Sequence, residues 1–146
     1  MPDFDLVLRN CNLINENSIS QVDIAIKDKR IEKISSTISE NANKEIDVNG
    51  KNVAPGVIDD QVHFREPGLT KKGEIKTESL AALYGGITST MDMPNVSPAS
   101  TTLDLLEERF QLAKEKSWTN YSFYLGATPD NICLLYTSDA ADDGVG

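Results

Sequence analysis

The chain has 146 residues, about one ordinary domain, with 39% hydrophobic and 25% charged residues: enough for a buried core, and without the bias of a disordered chain. No apolar run reaches the roughly 18 residues a membrane span needs, and MPDFDLVLRN lacks the basic-then-apolar order of a secretory signal. The formal charge of −9 argues against nucleic acid and anionic membranes as partners, and two distant cysteines, Cys11 and Cys133, suit a reducing cytoplasm.

Residues 4 to 53 are predicted to be β structure. FDLVLRNCNLI, VDIAIKDKRIEKI and NKEIDVNGKNVA carry short alternating runs rich in Val and Ile, separated by NENS, KDKR and VNGK, which are turn chemistry. Several short strands in so little chain suggest a small sheet or half of a sandwich. Residues 1–54 are therefore expected to form an N-terminal β-rich segment.

The pattern changes after Pro55-Gly56. VIDDQVHF reads as a strand, REPGLTKKG as a loop, and EIKTESLAALY as a helix with Ile75, Ser79, Ala82 and Leu83 on one side. Gly85-Gly86 ends it, ITSTMDM follows as a strand and PNVSPAS as a loop. A second helix is predicted from Thr102 to Lys116, with Thr101 and Asp104 placed like a capping pair and Leu103, Leu106, Phe110 and Ala113 as its apolar stripe. NYSFYLGA is a third strand. Such a βαβαβ run predicts parallel strands, so the fold class is α/β. Either the sheet is a small open one, or residues 55–132 begin something larger, since they hold too little chain for a complete β/α barrel of about 250 residues.

The last stretch, CLLYTSDAADDGVG, fits no element. The codons tgt-ctc-tta-tac-aca-tct-gac-gct-gcc-gac encode CLLYTSDAAD and resemble a transposon adapter used in sequencing libraries. Residues 133–146 are expected to be a non-native tail rather than a natural surface tail. Setting them aside removes Asp139, Asp142 and Asp143 and no basic residue, which takes the formal charge from −9 to −6. The native sequence is then expected to be cut short at about Ile132.

The chemistry concentrates in GVIDDQVHFREPG, which holds the only histidine, His63. In a strand, Asp59, Gln61, His63 and Arg65 share one face, and Ile58, Val62 and Phe64 the other. A lone buried histidine is more often a hydrogen-bonded structural residue than a ligand. Here an acid, an amide and a cation accompany it, and together these are costly to bury unless paired or functional. The C-terminal ends of parallel strands are also where α/β folds place active sites.

This stretch resembles the first-strand motif of the amidohydrolase superfamily, Ile-Asp-x-His-x-His, and its extension Arg65-Glu66-Pro67-Gly68 looks like that of dihydroorotases. LTKKGEIKTESLAALYGGITSTMDMPNVSP is similar to that family's first helix and second strand, down to Met93-Pro94-Asn95, and VAPGVID to its passage from a small N-terminal sandwich into a barrel. The resemblance implies the first three strands of a (β/α)8 TIM-type barrel preceded by part of a β-sandwich. It further implies reversible, zinc-dependent hydrolysis of dihydroorotate to N-carbamoyl-aspartate in pyrimidine synthesis. His63 would be a metal ligand for one or two Zn²⁺ ions, and Arg65 and Asn95 would bind the substrate. A planar guanidinium suits a carboxylate because it offers two parallel hydrogen bonds. Arg65 alternatively pairs with Glu66 or Glu74 at the surface, and Asn95 alternatively serves only as a turn former.

Gln61 departs from the pattern, standing where the family has its first histidine. Its amide oxygen is a weak zinc ligand beside imidazole, so it is expected to hydrogen-bond near the ligands instead. One histidine cannot supply the three or four ligands of a hydrolytic zinc site, so no catalytic residue is assigned within this chain, and the chain alone is expected to be inactive. Two other functions stay open: a non-catalytic homologue partnering aspartate transcarbamoylase, and an allantoinase- or hydantoinase-type enzyme. A homo-oligomer is a further expectation of the resemblance.

Overall fold

The structure is a computed structural model that describes residues 2–134, so most of the stretch predicted to be a non-native tail lies outside the described residues. It divides into two compact units, Met1–Pro55 and Gly56–Gly146.

In the first unit, β1 (Phe4–Asn15) is central. It pairs antiparallel with β2 (Ser18–Lys27) and parallel with β4 (Ala42–Asp47) and β5 (Asn52–Val53), while β3 (Arg30–Ser35) lies antiparallel on β2. Two hairpins organise this sheet. Their two-residue turns, Glu16-Asn17 and Asp28-Lys29, all have φ between 48° and 64°, the left-handed geometry whose twist matches paired strands. The NENS and KDKR clusters had marked both places. β1 buries Phe4, Val7 and Cys11 and β2 buries Asp23, Ile24 and Ala25; Phe4, Val7, Ala25 and Ile38 form the core with Ala42 against it.

The second unit runs β6 (Val57–Val62), α1 (Ile75–Tyr84), β7 (Ile87–Asp92), α2 (Leu103–Lys116) and β8 (Asn120–Phe123). Its three strands are parallel in the order β6-β7-β8, each joined to the next through a helix. This is the α/β arrangement the alternating pattern predicted. Val62, Phe64, Ile75 and Ala113 make its core, with Leu112, Tyr121 and Phe123 against them.

Three local expectations need correction. The cap of α2 is Thr102, not Thr101: its hydroxyl accepts from the Leu105 N–H at 3.3 Å. The stripe of α2 is also displaced, because Leu103 is exposed and Arg109 is fully buried beside Ala113. In α1, Ile75 and Ser79 are buried but Leu83 is 40% exposed. Gly86, with φ +89°, makes the reversal after α1 that a side chain would resist.

Candidate functional site

The predicted strand VIDDQVHF pairs only as far as Val62, so His63 and Arg65 emerge beyond its C-terminal end. Its alternation is also interrupted. Asp59 to Val62 takes three steps where the facing Thr90 to Asp92 takes two, a bulge in the ladder. Asp59 accounts for it locally: its carboxylate accepts the Gln61 backbone N–H at 3.1 Å, as short acidic side chains do two residues ahead of themselves. One shared face for all four polar residues is therefore an oversimplification. Asp59 and Gln61 form one pair at the bulge, and His63 and Arg65 belong to the segment after it.

Alternation resumes there. Val62 and Phe64 are buried, His63 is exposed and Arg65 half-buried. His63 meets Asn95, which leaves the loop after β7: Nδ1 lies 3.0 Å from the Asn95 side-chain carbonyl oxygen. That carbonyl can only accept, so a hydrogen bond here requires the proton on Nδ1, and in that tautomer of the neutral ring Nε2 keeps its lone pair. Arg65 Nη1 approaches the Asn95 backbone carbonyl at 3.5 Å. The structure thus brings His63, Arg65 and Asn95 together from two strand ends. Among the described residues the Gln61 side chain makes no hydrogen bond to any of the three.

The loops are clamped against each other. Ser97 N–H donates to the Pro67 carbonyl at 3.1 Å, and a Cβ on Gly68 would lie 1.9 Å from the Ser97 carbonyl oxygen, so only glycine permits this approach. Arg65 holds φ +67°, a conformation rare for a large side chain and concentrated at binding sites. Glu66 is buried and does not serve Arg65. One of its oxygens accepts the Ile75 N–H at 3.0 Å, capping α1 from outside the helix, and the other pairs with Lys116.

Sequence reasoning missed the pair beneath the site. Asp92 ends β7 and accepts the Phe64 N–H at 3.1 Å; its other oxygen pairs with Arg109 of α2. Arg109 also donates to the Met93 carbonyl at 3.1 Å and the Ser100 hydroxyl at 3.3 Å, and its guanidinium lies 4.3 Å from the centre of the Phe123 ring. Burial pushes the Asp92 carboxyl above its ordinary range, against the pull of Arg109 and the Phe64 N–H. It likewise lowers the Arg109 guanidinium. The available signal was Arg109 itself, a charge at helical spacing between Leu106 and Ala113 on the inward side.

A hydrolytic zinc needs three or four protein donors. Among the described residues no three His, Cys, Asp or Glu side chains gather in one place. His63 Nε2 fits one position of such a site, but the residues present do not make up a zinc site. The two cavities described, about 530 and 350 Å³, lie in the first unit around Asn10, Asp23 and Ser36, not at His63. The larger is a polar hollow beside Arg9, which is already paired with Asp23 and Glu45.

Residues 50–130 match the family model described as dihydro-orotase-like. A dihydroorotase of Fusobacterium nucleatum is 38% identical over 77% of this chain and 26% of its own length. An allantoinase of Desulfitobacterium hafniense is 36% identical over 99% of this chain and 32% of its own. The solved L-hydantoinase (dihydropyrimidinase) from Arthrobacter aurescens superposes with a TM-score of 0.88 at 34% identity, covering 94% of this chain and 31% of that one. The chain therefore spans less than a third of each of these relatives. With the family model matched over more than half its length, the parallel strand order and the Met-Pro-Asn loop in place, this chain belongs to the dihydro-orotase-like family of cyclic amidohydrolases.

Proposed function

We propose that this chain is the substrate-carboxylate-binding part of a dihydroorotase, a hydrolase that opens dihydroorotate to N-carbamoyl-aspartate and closes it in reverse. The observation that carries this is the convergence of Arg65 and Asn95 beside His63 at the ends of β6 and β7. Arg65 offers a planar pair of donors to a carboxylate, and the Asn95 amide N–H₂ adds neutral donors beside it. His63, oriented by the Asn95 carbonyl, presents Nε2 to a cation. A zinc held there would need its other ligands from outside this chain and would supply Lewis-acid chemistry. No hydrolytic step is assigned to the residues described here. A cytoplasmic enzyme, as a homo-oligomer or beside aspartate transcarbamoylase, suits this reading.

The near-equal likeness to an allantoinase and an L-hydantoinase favours a second reading, a cyclic amidohydrolase for rings without this carboxylate. A substrate panel on the complete protein separates them. Dihydroorotate should be the preferred ring, and Arg65→Ala should lower its turnover at subsaturating substrate by about 100-fold, the scale of a lost charge-assisted bond of ~2–3 kcal/mol. Unchanged activity on carboxylated rings would remove the assignment. The 146-residue chain alone should show no turnover.

A further inference from the structure

We propose that Asp92 and Arg109, which share no hydrogen bond with the side chains of the His63–Asn95–Arg65 group among the described residues, are positioning residues that set its geometry. The inference rests on the proposed function only for what the group binds.

Asp92 holds the first arm. Its Oδ1 takes the N–H of Phe64, the residue between His63 and Arg65, and so fixes the backbone that aims both side chains. Arg109 holds the second arm. It grips the Met93 carbonyl, two residues before Asn95, and the Ser100 hydroxyl at the far end of the same loop. The ion pair joins the two arms, and its side chains are 0% and 2% exposed.

Stability alone is a weak reason for this arrangement. An apolar pair of similar volume often stabilises a core as well as a buried ion pair does. What apolar groups cannot supply is direction, and the guanidinium fork fixes the angles between three acceptors in one plane. Arg109 Nε is left without a partner among the described residues. The donors that matter are thus committed to the β7 end and its loop, at the expense of one buried N–H. Lysine would keep the charge and lose the fork.

His63 is the only histidine in the chain, which makes its ring a private reporter. Held by the Asn95 carbonyl, it should give the Nδ1-protonated pattern in a long-range ¹H–¹⁵N spectrum, whereas an unrestrained imidazole favours the Nε2-protonated form. Arg109→Lys should at least halve the Nδ1-protonated fraction while the core signals of Ile75 and Ala113 persist. A folded Arg109→Lys variant with an unchanged ring pattern, or a wild-type chain lacking that pattern, would overturn the proposal. If Arg109→Lys does not fold, Ser100→Ala decides, because it removes one acceptor and leaves the ion pair. A smaller but measurable loss is expected there, and no loss overturns the proposal. The measurement needs no substrate. Failure to bind dihydroorotate would sink the proposed function and leave this result standing, and an unmoved ring would do the reverse.

Discussion

Among the described residues each unit of this molecule contains one arginine–aspartate pair, and the two behave oppositely. Arg9 and Asp23 meet at 2.9 Å at the wall of an open polar hollow, where Glu45 also takes the guanidinium and the Asn10 and Ile38 N–H groups share the aspartate. Burial pushes the Asp23 carboxyl up, but Arg9 and the two N–H groups together hold it below the ordinary carboxylate range. Asp92 has a comparable cation, yet burial dominates and its carboxyl is raised. The same two side chains thus form a partly exposed tie in one place and a fully buried joint in the other. The decisive variable is the water each keeps, not the partner.

The comparison breaks most visibly when one member is removed. Arg109→Met should destabilise the second unit by about 3–5 kcal/mol, because it leaves a buried carboxylate without its cation. Adding Asp92→Asn, which removes the charge and keeps an acceptor for the Phe64 N–H, should recover part of that loss. Trp118, the only tryptophan, reports on this unit in urea unfolding. Equal losses in the single and double variants would mean that charge is not what matters there. Asp23→Asn should cost the first unit less, about 1–3 kcal/mol, since Arg9 keeps Glu45 as its partner. Exchange of the buried Val7 and Ile38 amides reads that effect.

Acidity sharpens the contrast. Asp23, lowered in the fold, contributes stability above the ordinary aspartate value of about 3.9, and that contribution is lost as the pH falls through its folded value. Asp92, raised in the fold, has the opposite sign: its contribution is complete below about 3.9 and is lost as the pH rises through its folded value. Asp23→Asn should therefore flatten the acid-side loss of the first unit, and Asp92→Asn should flatten the opposing slope in the second. Two slopes of the same sign would contradict the account. The smallest expected effect is Thr102→Ala, about 1 kcal/mol from the lost cap of α2, seen in the same Trp118 unfolding curves.

These contrasts also mark what could be read before the fold was known. Turn clusters placed both hairpins of the first unit because few residues accept a left-handed backbone cheaply. Strand and helix spacing gave the βαβαβ order of the second. His63, Arg65 and Asn95 were legible through their motif, and the fold brings them together. The shared face was drawn one residue too far at Asp59, because its carboxylate captures the Gln61 N–H and a bulge falls between Asp59 and Val62, while Gln61 stays on the exposed side with His63. Asp92 and Arg109 were not seen because a charge in an apolar stripe shows its partner only in three dimensions, across 17 residues of chain.

The central claim is that Arg65 and Asn95 form a site for a ring-borne carboxylate, and the most direct measurement titrates two rings that differ only in that group. Dihydroorotate and dihydrouracil are added in turn to the chain while the His63 ring and Asn95 amide signals are followed. Dihydroorotate should shift both signals saturably, dihydrouracil should not, and Arg65→Ala should abolish the difference. Equal responses to the two rings, or a dihydroorotate response that survives Arg65→Ala, would contradict the account.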